Sequence, residues 1–361
     1  APGPGVAPAQ GQLIRNLHLM DQPLKTGALS PTDARAEPAR DNPPMHVLIP
    51  FAACSADACQ QALQTLPLPN LAALLQRLTP TTLDAGDDFA LSMPHERALA
   101  RELGLPADNG LTPWAARDML KNGDKPGRPG ADAWAFITPC HWRLATDHFV
   151  MDEPDLLQID EQESKALLAA MAPFFAEDGI TLQYTSPTQW RAQGEVFRGL
   201  PTASLDRVRG RSLDIWMPDG PQAKPLRRLQ SEMQMLLYTH PVNDAREARG
   251  LAPVNAFWVS GTGVLPPEVR NGLFPAELHM PTHLTTPALR ADWPAWAKAW
   301  QQLDATACAD LLAHLQQHGQ GTLTLCGERS AQRFEARPRS LGSKISSLFG
   351  RLRPSTVLEK L

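Results

Sequence analysis

The sequence lacks the features that mark several large classes of protein. Its 361 residues contain no apolar run near the roughly 20 residues that a membrane-spanning helix needs. Its formal net charge of -4 argues against a protein that binds nucleic acid through its overall charge. The first residues show neither the basic nor the apolar region of a secretory signal, so we expect a cytoplasmic protein.

Cysteine is scarce and its spacing matches no familiar site. The 5 cysteines include no CxxC pair, which argues against a disulfide framework and fits a reducing compartment. Cys140, His141, Asp147 and His148 lie close together in the sequence, but their spacing meets no standard zinc motif. We therefore expect no bound metal ion and no cofactor.

Composition and periodicity divide the chain into parts. Residues 1–44 are rich in Pro, Ala and Gly, which predicts a disordered leader. Strand-like runs and helical patterns then alternate, which favours an α/β fold with a mainly parallel sheet. A stretch rich in Gly and Pro at 123–132 marks a boundary. The predicted parts are a core from 45–129 and 241–335, an inserted α+β lobe at 130–240, and a tail at 336–361.

Several elements can be predicted individually. Apolar residues at helical spacing predict helices over 94–105, 160–179 and 225–240. Short apolar runs rich in β-branched residues predict buried strands over 45–53 and 321–328. These elements supply the sheet and the helices that an α/β core requires.

The stretch HPVNDAREARGLAPVNAFWVSGTG, residues 240–263, stands out from ordinary globular sequence. Its arginines and amides suit a phosphate or carboxylate, and its strand-then-glycine pattern could cradle an anion on backbone N–H groups. No third glycine opens a helix, so we exclude a nicotinamide site. The alternative is a helix-to-strand loop with solvated arginines. The predicted ligand-binding residues are His240, Asn243, Arg246, Ser260, Gly261 and Gly263.

The tail is locally basic and carries apolar residues on one helical face. Residues 337–361 could engage a protein partner, a membrane surface or nucleic acid. A tail helix that docks on its own domain explains the pattern equally well. The residues of the apolar face are Leu341, Ile345, Leu348, Phe349 and Leu352.

The stretch 240–263 is similar to the HPVN…R…G…AN-x-W-x-W-G-x-G segment of archaeal-type, cofactor-independent phosphoglycerate mutases, which belong to the alkaline phosphatase superfamily. Other segments of these proteins and of the wider superfamily are similar to three further stretches of the chain, namely GADAWAFITPCHW, HERALARELGLP and LPNLAALLQRL. Over about 45–335, the chain resembles more closely the RpfE-type regulatory proteins of proteobacteria. The resemblance implies a reduced phosphoglycerate-mutase-like core, with a mainly parallel sheet and an inserted α+β cap lobe.

The resemblance also implies two divalent metal ions and a Ser or Thr nucleophile, because in-line phosphoryl transfer needs its oxygen charges neutralised. The chain departs from this pattern. Its first strand ends IPFAAC where the family has an Asp-Gly motif, no D-x-x-G-H follows Gly263, and LCGERS stands where the family has G-D-H. His95 falls at the nucleophile position, with Ser92 three residues before it.

We therefore predict a catalytically degenerate protein that acts as a regulatory or binding module for a phosphorylated small molecule or a protein partner. The candidates for a surviving catalytic group are His95, Ser92 and Cys326, although no triad spacing supports them. One alternative is an active mutase or phosphatase, and another is an interaction protein that works through its tail. The rebuilt site of an active enzyme would use His95, Cys140, His141 and Glu328.

Overall fold

A five-stranded sheet and a four-stranded sheet organise the chain from Pro44 to Leu361, which forms one compact unit. The computed structural model describes residues 44–121, 132–267, 269, 278–336 and 352–361. The leader predicted for 1–44 lies outside these ranges except for its last residue. Within the described ranges, no helix is long and apolar enough to cross a membrane.

The five-stranded sheet is mixed. Its strands, in spatial order, are β2 (Leu78–Ala85), β11 (Ser330–Ala336), β10 (Thr322–Cys326), β1 (His46–Ile49) and β9 (Leu278–His279). β1 runs parallel to both of its neighbours, whereas β11 is antiparallel to β10 and to β2. The prediction of a mainly parallel sheet is therefore wrong for its β2–β11 half. Residues 327–329 are too few for the crossover that a parallel pair requires, so β10 and β11 form a hairpin.

The four-stranded sheet is antiparallel throughout. Its strands, in spatial order, are β6 (Thr181–Ser186), β7 (Gln189–Gln193), β3 (Ala133–Cys140) and β8 (Ala256–Val264). A separate pair joins β4 (Trp142–Leu144) to β5 (Phe149–Met151). β8 was expected in the core with 45–129, but it pairs with β3 in the sheet of the predicted insertion. The apolar pattern of β8 predicted that the strand is buried, but it did not predict which sheet the strand joins.

Helices cover both sheets. In chain order they are α1 (Asp57–Thr65), α2 (Pro69–Leu75), α3 (Pro94–Glu102), α4 (Trp114–Lys121), α5 (Glu161–Glu177), α6 (Leu205–Val208), α7 (Lys224–Tyr238), α8 (Pro241–Glu247), α9 (Thr285–Leu289), α10 (Trp293–Leu303), α11 (Ala309–His318) and α12 (Pro354–Leu358). Short 3-10 helices span Pro154–Leu157, Glu195–Phe197 and Pro221–Ala223, and a π-helix spans Asp304–Cys308. The helices predicted over 94–105, 160–179 and 225–240 are confirmed as α3, α5 and α7.

The central strand β1 separates two chemically different faces of the five-stranded sheet. Its side chains alternate, so Val47 and Ile49 join the apolar core beneath α1, α2, α10 and α11. Leu48 faces the other side, where it packs with Leu99 of α3. His46 shares that side, so α3 covers a sheet face that carries polar groups as well as apolar ones.

The described end of the tail packs on the chain itself. Val357 and Leu358 of α12 are buried in the core that α1 and α2 also line. The backbone oxygen of Leu361 accepts hydrogen bonds from the N–H groups of Arg329, at 3.2 Å, and Ser330, at 3.0 Å. This geometry favours the docking alternative for 352–361. Most of the predicted apolar face, namely Leu341, Ile345, Leu348 and Phe349, lies outside the described residues.

The glycine turn expected at 260–263 is a bulged part of strand β8. Gly261 has φ of +62°, and the register with β3 shifts opposite this segment. A Cβ on Gly261 would lie 3.0 Å from Cβ of Trp114 and 3.1 Å from Cδ2 of Phe136. The glycines therefore let α4 approach the strand closely, which is a packing role. The anion cradle at Ser260, Gly261 and Gly263 stays a prediction.

We predict that Gly261→Ala destabilises the protein more than Gly250→Ala does. Both glycines have positive φ, which costs an alanine about 1–2 kcal/mol. Only Gly261 also has neighbours within contact distance of the added methyl group, whereas Gly250 has none within 4 Å. The loss of unfolding free energy in Gly261→Ala, measured by urea unfolding, should therefore exceed that in Gly250→Ala by about 1–3 kcal/mol. Equal losses would show that α4 does not need this close approach.

Candidate functional site

The carboxyl ends of β1 and β10 meet at one edge of the five-stranded sheet. Just after β1, Phe51 has φ of +53°, which is uncommon for a residue other than glycine. Two indole N–H groups hold this backbone: Trp296 donates to the Phe51 carbonyl at 2.9 Å, and Trp300 donates to the Ala52 carbonyl at 3.0 Å. Such held conformations cluster at functional sites, which makes the side chains around this edge candidates for one.

A group of charged side chains gathers at this edge, and we call it the strand-end cluster. Its members are His95, Asp206, Arg207, Arg211 and Glu328. The sequence predicted roles for His95 and Glu328 only. The other three lie in or just after α6, where the run LDRVRGR resembles an ordinary solvated segment.

Glu328 is ionised and committed to protein partners. Its carboxylate accepts hydrogen bonds from the N–H and the hydroxyl of Ser55, at 2.8 and 2.7 Å, and lies 2.7 Å from Nη2 of Arg211. Burial raises the pKa of Glu328, but the Ser55 hydrogen bonds and the Arg211 charge outweigh it and hold the pKa below its ordinary value. Glu328 therefore joins the loop after β1 to the segment after α6.

Cys326 and Ser92 are placed poorly for nucleophilic chemistry. Cys326 is fully buried, and burial raises the pKa of its thiol, which stays protonated. The Ser92 hydroxyl accepts a hydrogen bond from the N–H of Gly110 at 2.8 Å. No hydrogen bond between Ser92 and His95 is found in the described part of the chain. The geometry therefore gives no support to a nucleophile at either position.

His95 opens helix α3 and faces Asp206. Its Nε2 lies 3.4 Å from Oδ2 of Asp206, and its ring lies 5.1 Å from the ring of Phe51. Burial raises the pKa of Asp206, but His95 and Arg209 together hold it below its ordinary value. The other ring nitrogen of His95, Nδ1, is buried and has no protein partner in the described structure.

Arg207 places a buried positive charge in the strand-end cluster. Arg207 as a whole is only 1% exposed. Nη2 donates to the carbonyl of Glu328 at 3.2 Å, the guanidinium lies 5.6 Å from the Trp216 ring, and Nε has no protein partner among the described residues. Burial, followed by the charge of Arg211, lowers the pKa of Arg207 to about 10. Arg207 is therefore still a cation at neutral pH.

The side chains at this edge do not fit the two metal ions that the sequence resemblance implies. The described ranges contain no group of three or more His, Cys, Asp or Glu that could hold a metal ion. Cys326 is a protonated thiol and Glu328 is engaged by Ser55 and Arg211. The Arg207 guanidinium would also repel a divalent cation here.

The residues of the predicted rebuilt site are not brought together. Cys140 is fully buried, and burial raises the pKa of its thiol. His141 uses Nδ1 in a 2.8 Å contact with the carbonyl oxygen of Pro253. His95 instead faces Asp206, and Glu328 faces Arg211. In the described structure, the pairings found for His95, His141 and Glu328 are therefore all with residues outside the four that an active enzyme would have to combine.

The first half of the stretch 240–263 forms a structural junction. His240 caps helix α8, because its Nδ1 accepts a hydrogen bond from the N–H of Val242 at 3.2 Å. The buried amide of Asn243 donates to the carbonyls of Leu237 and Val254 and accepts from the N–H of Val254, each at 2.8 Å. Asn243 therefore ties α7 to the segment that enters β8.

Arg246 is fully buried and its donors are used by the protein. The guanidinium pairs with Glu163 at 2.5 Å and donates to the carbonyls of Ala252, at 2.9 Å, and Leu157, at 2.5 Å. Arg249 pairs with the same carboxylate. The predicted anion-binding role of Asn243 and Arg246 gains no support from this geometry, because their hydrogen-bonding groups are engaged inside the fold.

No family model and no curated protein matches this chain. Among solved structures, it is similar to the cofactor-independent phosphoglycerate mutase from Thermoplasma acidophilum DSM 1728, with 14% identity, a TM-score of 0.37, and 88% of this chain and 98% of that chain covered. It is also similar to the PH0037 protein from Pyrococcus horikoshii, with 11% identity, a TM-score of 0.42, and 81% and 87% covered. Both likenesses are too loose to carry an argument about activity.

We predict that Glu163→Gln is strongly destabilising and that Glu161→Gln is not. Both acids lie in the first turn of α5, so both substitutions lose a similar interaction with the helix dipole. Only Glu163→Gln leaves the buried Arg246 without its charged partner, which should cost about 3 kcal/mol in urea unfolding. Glu161 pairs with exposed Lys165. Equal effects would contradict the structural role of Arg246.

We predict that the stabilising effect of Glu328 depends on pH. Its folded pKa is lowered, so its contribution is present above the unfolded value of about 4.3 and is lost as pH falls through the folded value. The loss of stability in Glu328→Gln should therefore be larger at neutral than at acid pH in urea unfolding. Arg211→Gln should weaken this dependence. A pH-independent difference would contradict the ion pair.

Proposed function

We propose that this chain is a catalytically degenerate, phosphoglycerate-mutase-like protein that binds a small phosphorylated ligand at the strand-end cluster and acts as a regulatory module. The sequence resemblance supports the relationship to the mutases and to the RpfE-type proteins. The chemistry of the cluster supports the kind of ligand. The two lines of support are independent, since one rests on motifs and the other on geometry.

The observation that carries the proposal is the incomplete hydrogen bonding of Arg207. A buried N–H without a partner costs about 1–3 kcal/mol, so such groups are rare unless a ligand or water completes them. Nε of Arg207 is a buried donor without a hydrogen-bond partner in the described structure. A phosphate oxygen is the acceptor that guanidinium groups bind best, and it would also neutralise the Arg207 charge.

His95 adds a second group with unused hydrogen-bonding capacity. Its Nδ1 is buried without a partner, while the ring is held by Asp206 and Phe51. The cluster thus combines the Arg207 guanidinium and the His95 imidazole near the sheet edge. Arg207 can donate to a phosphate oxygen, and Nδ1 of the neutral imidazole can accept from a phosphate hydroxyl, because Nε2 already donates to Asp206.

The same cluster is poorly suited to phosphoryl transfer. A mutase of this type must neutralise charge on the attacking and leaving oxygens and must present an activated hydroxyl. Arg207 can hold a phosphate, but the described edge offers neither a two-metal ligand set nor a hydroxyl paired with a base. Binding without turnover is therefore the function that these residues support.

The proposal predicts that Arg207→Met abolishes ligand binding without destabilising the free protein. Inorganic phosphate and 3-phosphoglycerate should each raise the melting temperature of the wild type, because a ligand at 100 times its Kd adds about 2.7 kcal/mol to the unfolding free energy. Arg207→Met should lose this shift. Its own stability should equal or exceed that of the wild type, since the substitution removes a buried charge that forms no salt bridge with any described carboxylate.

Arg227→Met is the matched control, because Arg227 pairs with exposed Asp219 outside the strand-end cluster. It should respond to both ligands as the wild type does. An unchanged shift in Arg207→Met would remove the cluster as the binding site. Manganese-stimulated conversion of 3-phosphoglycerate by the wild type would instead refute the loss of catalysis.

A further inference from the structure

A second polar constellation lies beneath α3, on the face of the five-stranded sheet. The imidazole of His46 is buried, its Nε2 lies 2.9 Å from Oγ1 of Thr324, and its Nδ1 lies 3.3 Å from Oε2 of Glu102. β1 and β10 are parallel neighbours in which His46 pairs with Thr322. His46 therefore reaches diagonally to Thr324, two residues further along the same face.

The ionisation of Glu102 fixes the direction of these hydrogen bonds. The hydrogen bond with His46, aided by the charge of Arg333 and opposed by burial, holds the pKa of Glu102 below its ordinary value. An ionised carboxylate only accepts, so Nδ1 of the imidazole must donate to it. In the neutral imidazole Nε2 is then an acceptor, and the Thr324 hydroxyl donates its proton to it.

Thr324, which carries this hydroxyl, lines an open cleft. Thr324 and Glu102 line a cavity of about 240 Å³ between α3 and the strands β2, β10 and β11. This volume is below the roughly 300–1,000 Å³ of pockets for drug-sized ligands, which suits a smaller molecule. Arg101, Arg333 and Asp84 also line the cavity. Arg101 pairs with Asp84 and Arg333 pairs with Glu102, so the charges of the lining are balanced. A small uncharged acyl group matches this lining.

We propose that Thr324, His46 and Glu102 form an acyl-transfer relay whose substrates are short esters with a small uncharged acyl group. Thr324 Oγ1 would attack the ester carbonyl while its proton passes to Nε2 of His46. The new O–C bond forms, the bond to the leaving alcohol breaks, and the alcohol takes the proton from Nε2. Water then repeats the sequence, releasing the acid and restoring Thr324. Glu102 is the positioning residue, because it orients the imidazole.

This relay is separate from the strand-end cluster. None of its residues belongs to that cluster, and its chemistry needs neither a phosphate nor a metal ion. The hydroxyl-to-imidazole and imidazole-to-carboxylate contacts have the order that an activated nucleophile requires. The inference therefore stands or falls independently of the proposed function.

The test uses the full chain with 4-nitrophenyl acetate as a neutral ester and mono(4-nitrophenyl) succinate as an anionic one. Release of 4-nitrophenolate from the acetate should exceed the buffer rate, and it should be faster than release from the anionic ester. Thr324→Val should reduce release to background, whereas Thr324→Ser should retain it. His46→Gln should lower the rate by roughly 100-fold, the usual contribution of a general base. Because the imidazole must be neutral to accept a proton, the rate should fall in acid.

Thr322→Val is the matched control, since Thr322 is a buried threonine two residues earlier on the same strand. It should keep the wild-type rate, and mass spectrometry should place any trapped acyl group on Thr324. Glu102→Gln should lower kcat more than it changes KM, and Glu102→Asp should restore part of the rate. Equal release by folded Thr324→Val, or no release above buffer by the wild type and Thr324→Ser, would overturn the proposal.

Discussion

The rest of the structure depends on the placement of strand β1 at the centre of a parallel trio, with its following loop held by two tryptophan side chains. The pairing with β10 and β9 buries all four residues of the strand. The indole N–H groups of Trp296 and Trp300 then fix the backbone at Phe51 and Ala52, so the strand end cannot relax. This anchoring brings Ser55 to Glu328, and thereby closes one side of the strand-end cluster.

Two buried arginines illustrate how similar side chains take different roles. Arg246 is completely satisfied by a carboxylate and two carbonyls, so it joins α8 to α5 and has no capacity left for a ligand. Arg207 is almost as buried, but no carboxylate among the described residues forms a salt bridge with it, and its Nε keeps an N–H without a partner there. Burial alone does not distinguish them. The difference lies in whether the fold itself supplies the acceptors, because an unsatisfied donor stores a free energy that a ligand can recover.

Helix α3 links the two sites that we propose. Its first turn presents His95 to the strand-end cluster, and its last residue, Glu102, orients His46 above the sheet. Between them, Arg97 and Arg101 pair with Asp84 of strand β2 and hold the helix against the antiparallel half of the sheet. A rigid helix spanning both sites positions side chains more accurately than loops would. The sites share a scaffold, although their chemistries are distinct.

The sequence by itself determined the local elements and the positions where the chain departs from the metal-binding motifs that the resemblance implies. Apolar periodicity located α3, α5, α7 and the strands β1 and β10. The run IPFAAC at the end of β1 showed directly that no carboxylate follows this strand. Only the tertiary structure decided that β8 joins the second sheet, that Arg246 is satisfied internally, and that Arg207 is buried. It also brought His46 to Thr324 across 278 positions of the chain. Periodicity reports which face of an element is buried, whereas the partner on that face is set by packing between distant segments, which no local pattern encodes.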